Sequence, residues 1–270
     1  MNRKIPRIVL TAALLAGAFV MHTQTPQAPN PATDDAAINA ARARVALDAM
    51  VKAMGGDAWL NMKNQYREGH IAAFFHGNPA PGTTKVFEFH AWPDHDRIEF
   101  TTHRDVVQFI VGRTGWEVTY KGKAPLPADQ VDEYLRRRDH SIETAVKIWM
   151  KDPSTILIHE GQKLSGRHLA DQVTLISSQN EAITIQMDAQ THLPLSRSFQ
   201  FRDPVYKDKN TDREEYDGYH DVNGIPTPYT VTRLKNDEMV RQFFLDKVAF
   251  NQDLPPDIWN VDAAERKIKK

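Results

Sequence analysis

The chain contains no cysteine. That excludes disulfides, thiolate metal sites and the acylated cysteine of a bacterial lipoprotein. An oxidising compartment permits disulfides without requiring them, so the fold must be held by its core. Charge of one sign is also missing: 34 Lys+Arg stand against 35 Asp+Glu, a net of −1. With no basic block, the chain has no electrostatic grip on nucleic acid or on anionic head groups. Short catalytic signatures are absent too. No His-Glu-x-x-His, His-x-His, Gly-x-Ser-x-Gly, phosphate-cradling loop or dinucleotide fingerprint occurs.

One apolar run stands out, Ile8 to Met21, interrupted by Thr11 and preceded by Arg3, Lys4 and Arg7. A basic start, a short apolar stretch and the small residues Ala16-Gly17-Ala18 describe an export leader cleaved after Ala18. The run is shorter than the ~20 apolar residues that span a bilayer, so no stable membrane anchor is expected. Loss of Arg3, Lys4 and Arg7 with the leader takes the remainder to −4. Pro26, Pro29 and Pro31, set among Gln, Asn, Thr and Ala, then read as a flexible spacer. The expected organisation is a signal peptide over 1–18, spacer and helix start over 19–44, one domain over 45–262 and a frayed tail over 263–270. The expected location is the periplasm, or otherwise secreted.

Val45, Leu47, Met50, Val51 and Met54 recur near helical period, and Gly55-Gly56 ends that helix. The period then falls to two. Val86 to His90, Arg97 to Thr101 and Gly115 to Tyr120 alternate apolar with polar residues, as half-buried strands do. Trp92-Pro93-Asp94 and Gly112-Arg113-Thr114-Gly115 supply turns. Two helices follow, one entered through Pro125 and Pro127 and ending in Arg136-Arg137-Arg138, the other capped by Ser141. Strands resume from Ile156 onward. The fold class expected is α+β, a long, strongly curved antiparallel sheet forming an incomplete barrel, with a few helices closing its concave side.

Eleven histidines raise a metal or hydrolytic reading, with His90, His95 and His103 grouped around one turn. Zinc needs three or four ligands in definite geometry, and this spacing does not supply them. Asp208-Lys209-Asn210-Thr211-Asp212 opens like a calcium loop but has Arg213 where glycine is required, so a polar hairpin loop is expected there. The stronger signal is apolar. Phe87, Phe89, Ile98, Phe100, Phe109, Trp116 and Val118 are expected to share one face of the first half of the sheet. A curved sheet incompletely filled by side chains leaves an apolar cavity, the usual form of a small-molecule or lipid site.

Ala46 to Gly56 followed by Glu68-Gly69, then Gly115-Trp116-Glu117-Val118, then Met187 to Leu195, then Tyr216 to Pro228 form a series of hairpin signatures. In order and spacing the series resembles the lipoprotein-carrier-like (LolA-like) superfamily of periplasmic proteins, in particular the exported type called outer-membrane lipoprotein-sorting proteins. The resemblance implies a hydrophobic cavity that binds acyl chains of lipids or lipoproteins, with no cofactor, no metal and no catalytic residues. Strand alternation then nominates the aromatic stripe as cavity lining, with the helices around Tyr134 and Trp149 as a movable lid. The partners expected are a hydrophobic ligand or lipidated protein. Two other readings stand beside this one: an envelope sensor or assembly module that grips an exported polypeptide, and a hydrolase using His90, His95 or His103.

Overall fold

The computed structural model describes residues 31–269. The expected leader, its cleavage point and the spacer up to residue 30 lie outside the described residues. Helix α1 (Pro31–Ala53) leads into the short α2 (Asp57–Leu60), after which the chain becomes sheet. Strands β1 (Asn64–Phe75), β2 (Asn78–Pro79), β3 (Thr84–Ala91), β4 (His95–Phe100), β5 (Val106–Val111), β6 (Thr114–Thr119) and β7 (Gly122–Pro125) form the first half. Helices α3 (Ala128–Asp139) and α4 (Ile142–Lys147) and a 3-10 turn at Trp149–Lys151 interrupt. The second half comprises β8 (Ile156–Ser165), β9 (His168–Ile176), β10 (Ala182–Asp188), β11 (Pro194–Arg202), β12 (Lys209–Val222), β13 (Ile225–Lys235) and β14 (Glu238–Phe250). Helix α5 (Val261–Ile268) ends the chain.

All strands belong to one 14-stranded antiparallel sheet in the order β7-β6-β5-β4-β3-β1-β14-β13-β12-β11-β10-β9-β8, with β2 beside β1. Short turns make each half a meander. The two meanders are joined where β1 pairs with β14, so the first and last long strands of the sheet lie side by side at its centre. The edges β7 and β8 do not pair with each other, and the barrel stays open. Gly69 sits at a bulge in the central β1–β14 ladder, where a Cβ would stand 2.1 Å from the Phe244 carbonyl oxygen. Only glycine lets the backbones come that close.

Helices cover the inner face. Leu47 and Met50 of α1 pack with Val173, Leu175, Ile183 and Ile185 of the second half into the main core. The Asn39 side chain both donates to the His159 carbonyl and accepts from its N–H, each at 2.8 Å, pairing with the backbone of edge strand β8 much as a further strand would. Helix α3 rests on the first half through Val131 and Leu135 against Ile110. Gly115 makes this possible, since a Cβ there would lie 2.5 Å from Val131 Cγ2. Ser141 caps α4 by accepting from the Thr144 N–H at 3.1 Å, as its sequence position suggests.

Three expectations need correction. The helix expected to start within 19–44, after a spacer reaching about residue 35, already begins at Pro31, and Ala43 in it is fully buried. Proline is well suited to a first helical turn, which is why the proline pattern did not mark the end of the spacer. The tail over 263–270 is largely helix, with Ala263 and Ala264 buried and Asn260 capping it at 3.0 Å. The Asp208–Asp212 stretch is a loop only at its start. β12 begins at Lys209, and Asp212 is 1% exposed.

Among the described residues no helix is long and apolar enough to cross a membrane.

Candidate functional site

A cavity of about 240 Å³ lies between the inner face of the sheet and helices α3 and α4. Its walls change character along β14. Arg241, Phe243, Leu245 and Phe250 all line it, from a guanidinium at one end to apolar side chains at the other. The apolar end is completed by Met54 in the turn after α1, Trp59 and Met62 around α2, and Ile225 at the start of β13. Register explains the convergence: Phe250 pairs with Gln65 at the beginning of β1, directly after α2. Behind this end, Lys147 Nζ is buried without a hydrogen-bond partner, 4.8 Å from the Trp92 ring centre and 5.7 Å from that of Trp59.

The opposite end is ionic. Cross-strand pairing sets Arg197, Glu214, Arg233 and Arg241 in one row over β11, β12, β13 and β14. Arg197 is 2% exposed and pairs with Glu214 at 3.1 Å and Asp212 at 3.5 Å. Arg233 pairs with Asp212 at 2.7 Å and with Glu133 of α3 at 2.8 Å. Arg137 of α3 reaches Glu133 at 2.8 Å. Burial would push the Glu214 carboxyl up, but Arg197, Arg241, Arg137 and Arg233 outweigh it and hold the group at about 2. Burial and the neighbouring Arg233 and Arg241 bring Arg137 down to about 10.

Two further pairs line the wall between the ends. Arg67 binds Glu88, and Arg138 binds Asp96 at 3.2 Å while donating to the Gly112 carbonyl at 2.6 Å. His90 Nδ1 donates to Asp96 at 2.6 Å. Tyr134 packs half-buried over these groups, and desolvation together with Asp96 and Glu88 pushes its phenol well up, so it stays protonated. The carboxylates here are paired with arginine; burial pushes that of Asp96 up, but His90 and Arg138 outweigh it and hold the group below its ordinary value.

The nominated aromatic stripe does not share one face, because strands alternate and the register splits it. Phe89 pairs with Arg97, and Arg97 with Phe109, whereas Ile98 pairs with Glu88 and Phe100 with Val86. Phe87, Phe89, Phe109, Trp116 and Val118 therefore belong to the outer face, and Ile98 and Phe100 to the inner. Phe109 and Val118 form a separate cluster with Val107 and Ala264 under α5. Ile98 and Tyr134 line the cavity, and Phe89 borders it with its ring 5.0 Å from Tyr66. Phe100 and Trp149 pack on the main core, with Trp149 edge-on to His140 at 5.5 Å. His95 Nδ1 pairs with Asp94 at 2.9 Å, apart from the His90–Asp96 pair, and His103 is exposed. Among the described residues no three His, Asp or Glu side chains form a group that could hold a metal ion.

No protein-family model matches the sequence, and no curated protein is significantly similar to it. Solved structures are similar in shape. A DUF1329 family protein from Desulfovibrio piger superposes with a TM-score of 0.58 at 10% identity, over 82% of this chain and 98% of that one. A domain described as that of an outer membrane lipoprotein-sorting protein, from Vibrio parahaemolyticus, gives 0.53 at 9% identity over 83% and 100% of the two chains. A LolA superfamily protein from Nitrosomonas europaea gives 0.51 at 11% identity over 82% and 98%. The chain has a LolA-like fold. Within that LolA-like frame the cavity sits between the sheet and the helices inserted between its two halves, with an apolar end and an arginine-rich end.

Proposed function

We propose that this chain is a soluble periplasmic binding or carrier protein that holds the acyl chain of a lipid or lipoprotein and catalyses no reaction. The observation that carries the reading is the apolar end of the cavity, where Met54, Trp59, Met62, Ile225, Leu245 and Phe250 converge. Each methylene taken from water there contributes ~0.8 kcal/mol, so a chain binds with few polar contacts. The cavity, at about 240 Å³, is smaller than the roughly 300–1,000 Å³ of ordinary ligand pockets, which suits one chain better than two. Helices α3 and α4 stand over it as the cover that would move for entry. The LolA-like fold and the basic, then apolar, start of the sequence support the same assignment and its place outside the cytoplasm.

The test is native purification followed by lipid extraction and mass spectrometry, with fractionation of the expressing cells. Co-purified acyl lipid and recovery of processed protein in the periplasmic fraction are expected. Lipid-free protein that takes up no fluorescent fatty acid would overturn the assignment.

A further inference from the structure

We infer that the ligand is a single-chain amphiphile with an anionic head, seated with its head against Arg241, Arg197 and Arg137 and its chain toward Phe250. This rests on the acyl-chain reading and adds the head group to it.

Three independent features of the ionic end carry the inference. Arg233 and Arg241 are directly opposed across the β13–β14 ladder, an arrangement that destabilises a sheet unless an anion lies between or above the pair. Arg233 is satisfied by Asp212 and Glu133, but among the described residues no carboxylate lies within ion-pairing distance of Arg241. The guanidiniums of Arg137, Arg197, Arg233 and Arg241 thus face three carboxylates, Glu133, Asp212 and Glu214, leaving one positive charge over. Second, Arg197 lines the cavity, is 2% exposed, and its Nε has no hydrogen-bond partner. A buried donor of this kind costs the fold free energy unless something accepts from it. Third, the next inner-face row is Tyr216, Val231 and Phe243, so the polar site opens onto apolar wall within one step of the pleat. Arg137 is brought down to about 10 first by burial and then by Arg233 and Arg241 beside it.

The remaining cavity carboxylate, Glu143 of α4, lies toward Tyr216 and Tyr219 and leaves Arg241 unpaired. Guanidinium forks suit carboxylate and phosphate alike, so a fatty acid and a phosphate-headed single-chain lipid share the chemistry.

The tryptophans at the apolar end allow a direct titration of the full mature chain by intrinsic fluorescence, using dodecanoate, dodecyl phosphate and dodecan-1-ol. A charge-assisted contact predicts that both anions bind at least about tenfold more tightly than the alcohol. Whichever anion binds better identifies the source of the head group. In R241Q the anion-to-alcohol ratio should collapse to within about threefold, while R241K keeps most of it. Equal affinity of acid and alcohol in the unaltered protein, or a ratio untouched by R241Q, would overturn the head-group inference and leave the acyl-chain reading standing. Failure of all three probes to bind would remove both.

Discussion

Arg233 and Arg241 occupy paired positions on β13 and β14, yet only Arg233 is neutralised, by Asp212 at 2.7 Å and Glu133 at 2.8 Å. The two arginines should therefore respond unequally to the same change. R233Q leaves Asp212, 1% exposed, with its best partner gone, and breaking a buried pair costs on the order of 3–5 kcal/mol. R241Q removes both the repulsion from Arg233 and the attraction to Glu214, so its net effect in the ligand-free protein should be within about 1 kcal/mol of zero. Chemical denaturation of the two variants checks this, and a similar loss in both would mean that Arg241 has a structural partner of its own.

Acid should weaken the fold through Glu214. Its folded value of about 2 lies below the ordinary 4.5, so the stability it contributes is complete above pH 4.5 and disappears as the pH falls from there toward 2. The shift corresponds to something on the order of 3 kcal/mol. Melting temperatures taken from pH 6 down to pH 2.5 should drop steeply below pH 4.5 in the unaltered protein. E214Q should start lower at pH 6 and lose less over the same interval. Parallel curves for the two proteins would show that other carboxylates govern the acid limb.

Lys147 offers the reverse case. Its ammonium is buried with no hydrogen-bond partner, and burial lowers its affinity for the proton. The faces of Trp59 and Trp92 compensate in part, since cation–π contacts contribute about 0.5–2 kcal/mol. Methionine keeps the length and removes the desolvated charge, so K147M should hold or gain stability at neutral pH. A loss of more than about 2 kcal/mol would show that the Trp–Lys–Trp stack outweighs the desolvation.

The α+β class, the order of hairpins and the two inserted helices were legible because strand alternation and turn residues are local signals, and the LolA-like frame came from the resemblance of the hairpin series. The cavity was not. Its aromatic candidates were drawn from strands read one at a time. Whether Phe89 and Ile98 share a face depends on the β3–β4 register, which sets Phe89 opposite Arg97 and Ile98 opposite Glu88. The ionic row was hidden for a related reason. Asp212-Arg213-Glu214-Glu215 is charged on both faces, so it shows no alternation and reads as loop. Its burial comes from α3, far away in the chain, and from strands that meet it only in the folded sheet. Unpaired charge in an exterior strand and neutralised charge in an interior one look the same in sequence.

The C-terminal helix, expected to fray, should prove part of the core. Ala264 is 2% exposed and closes a cluster with Val107, Phe109 and Val118, flanked by Val261 and Ile268. Lys123 of β7 pairs with Asp262, and Arg97 donates to the Ile258 carbonyl at 2.8 Å, so the whole final segment is tied to the outer face. Ending the chain after Trp259 would bare three buried side chains and should cost on the order of 3 kcal/mol. A264D tests the same contact with the helix present, by placing a carboxylate among apolar groups. Both variants should melt earlier and bind more of a hydrophobic dye. The cavity lies on the opposite face, so acyl-chain affinity measured well below the melting temperature should change by less than about threefold, within the scatter for independent sites. Unchanged melting in both would mean that α5 rests on the sheet without stabilising it.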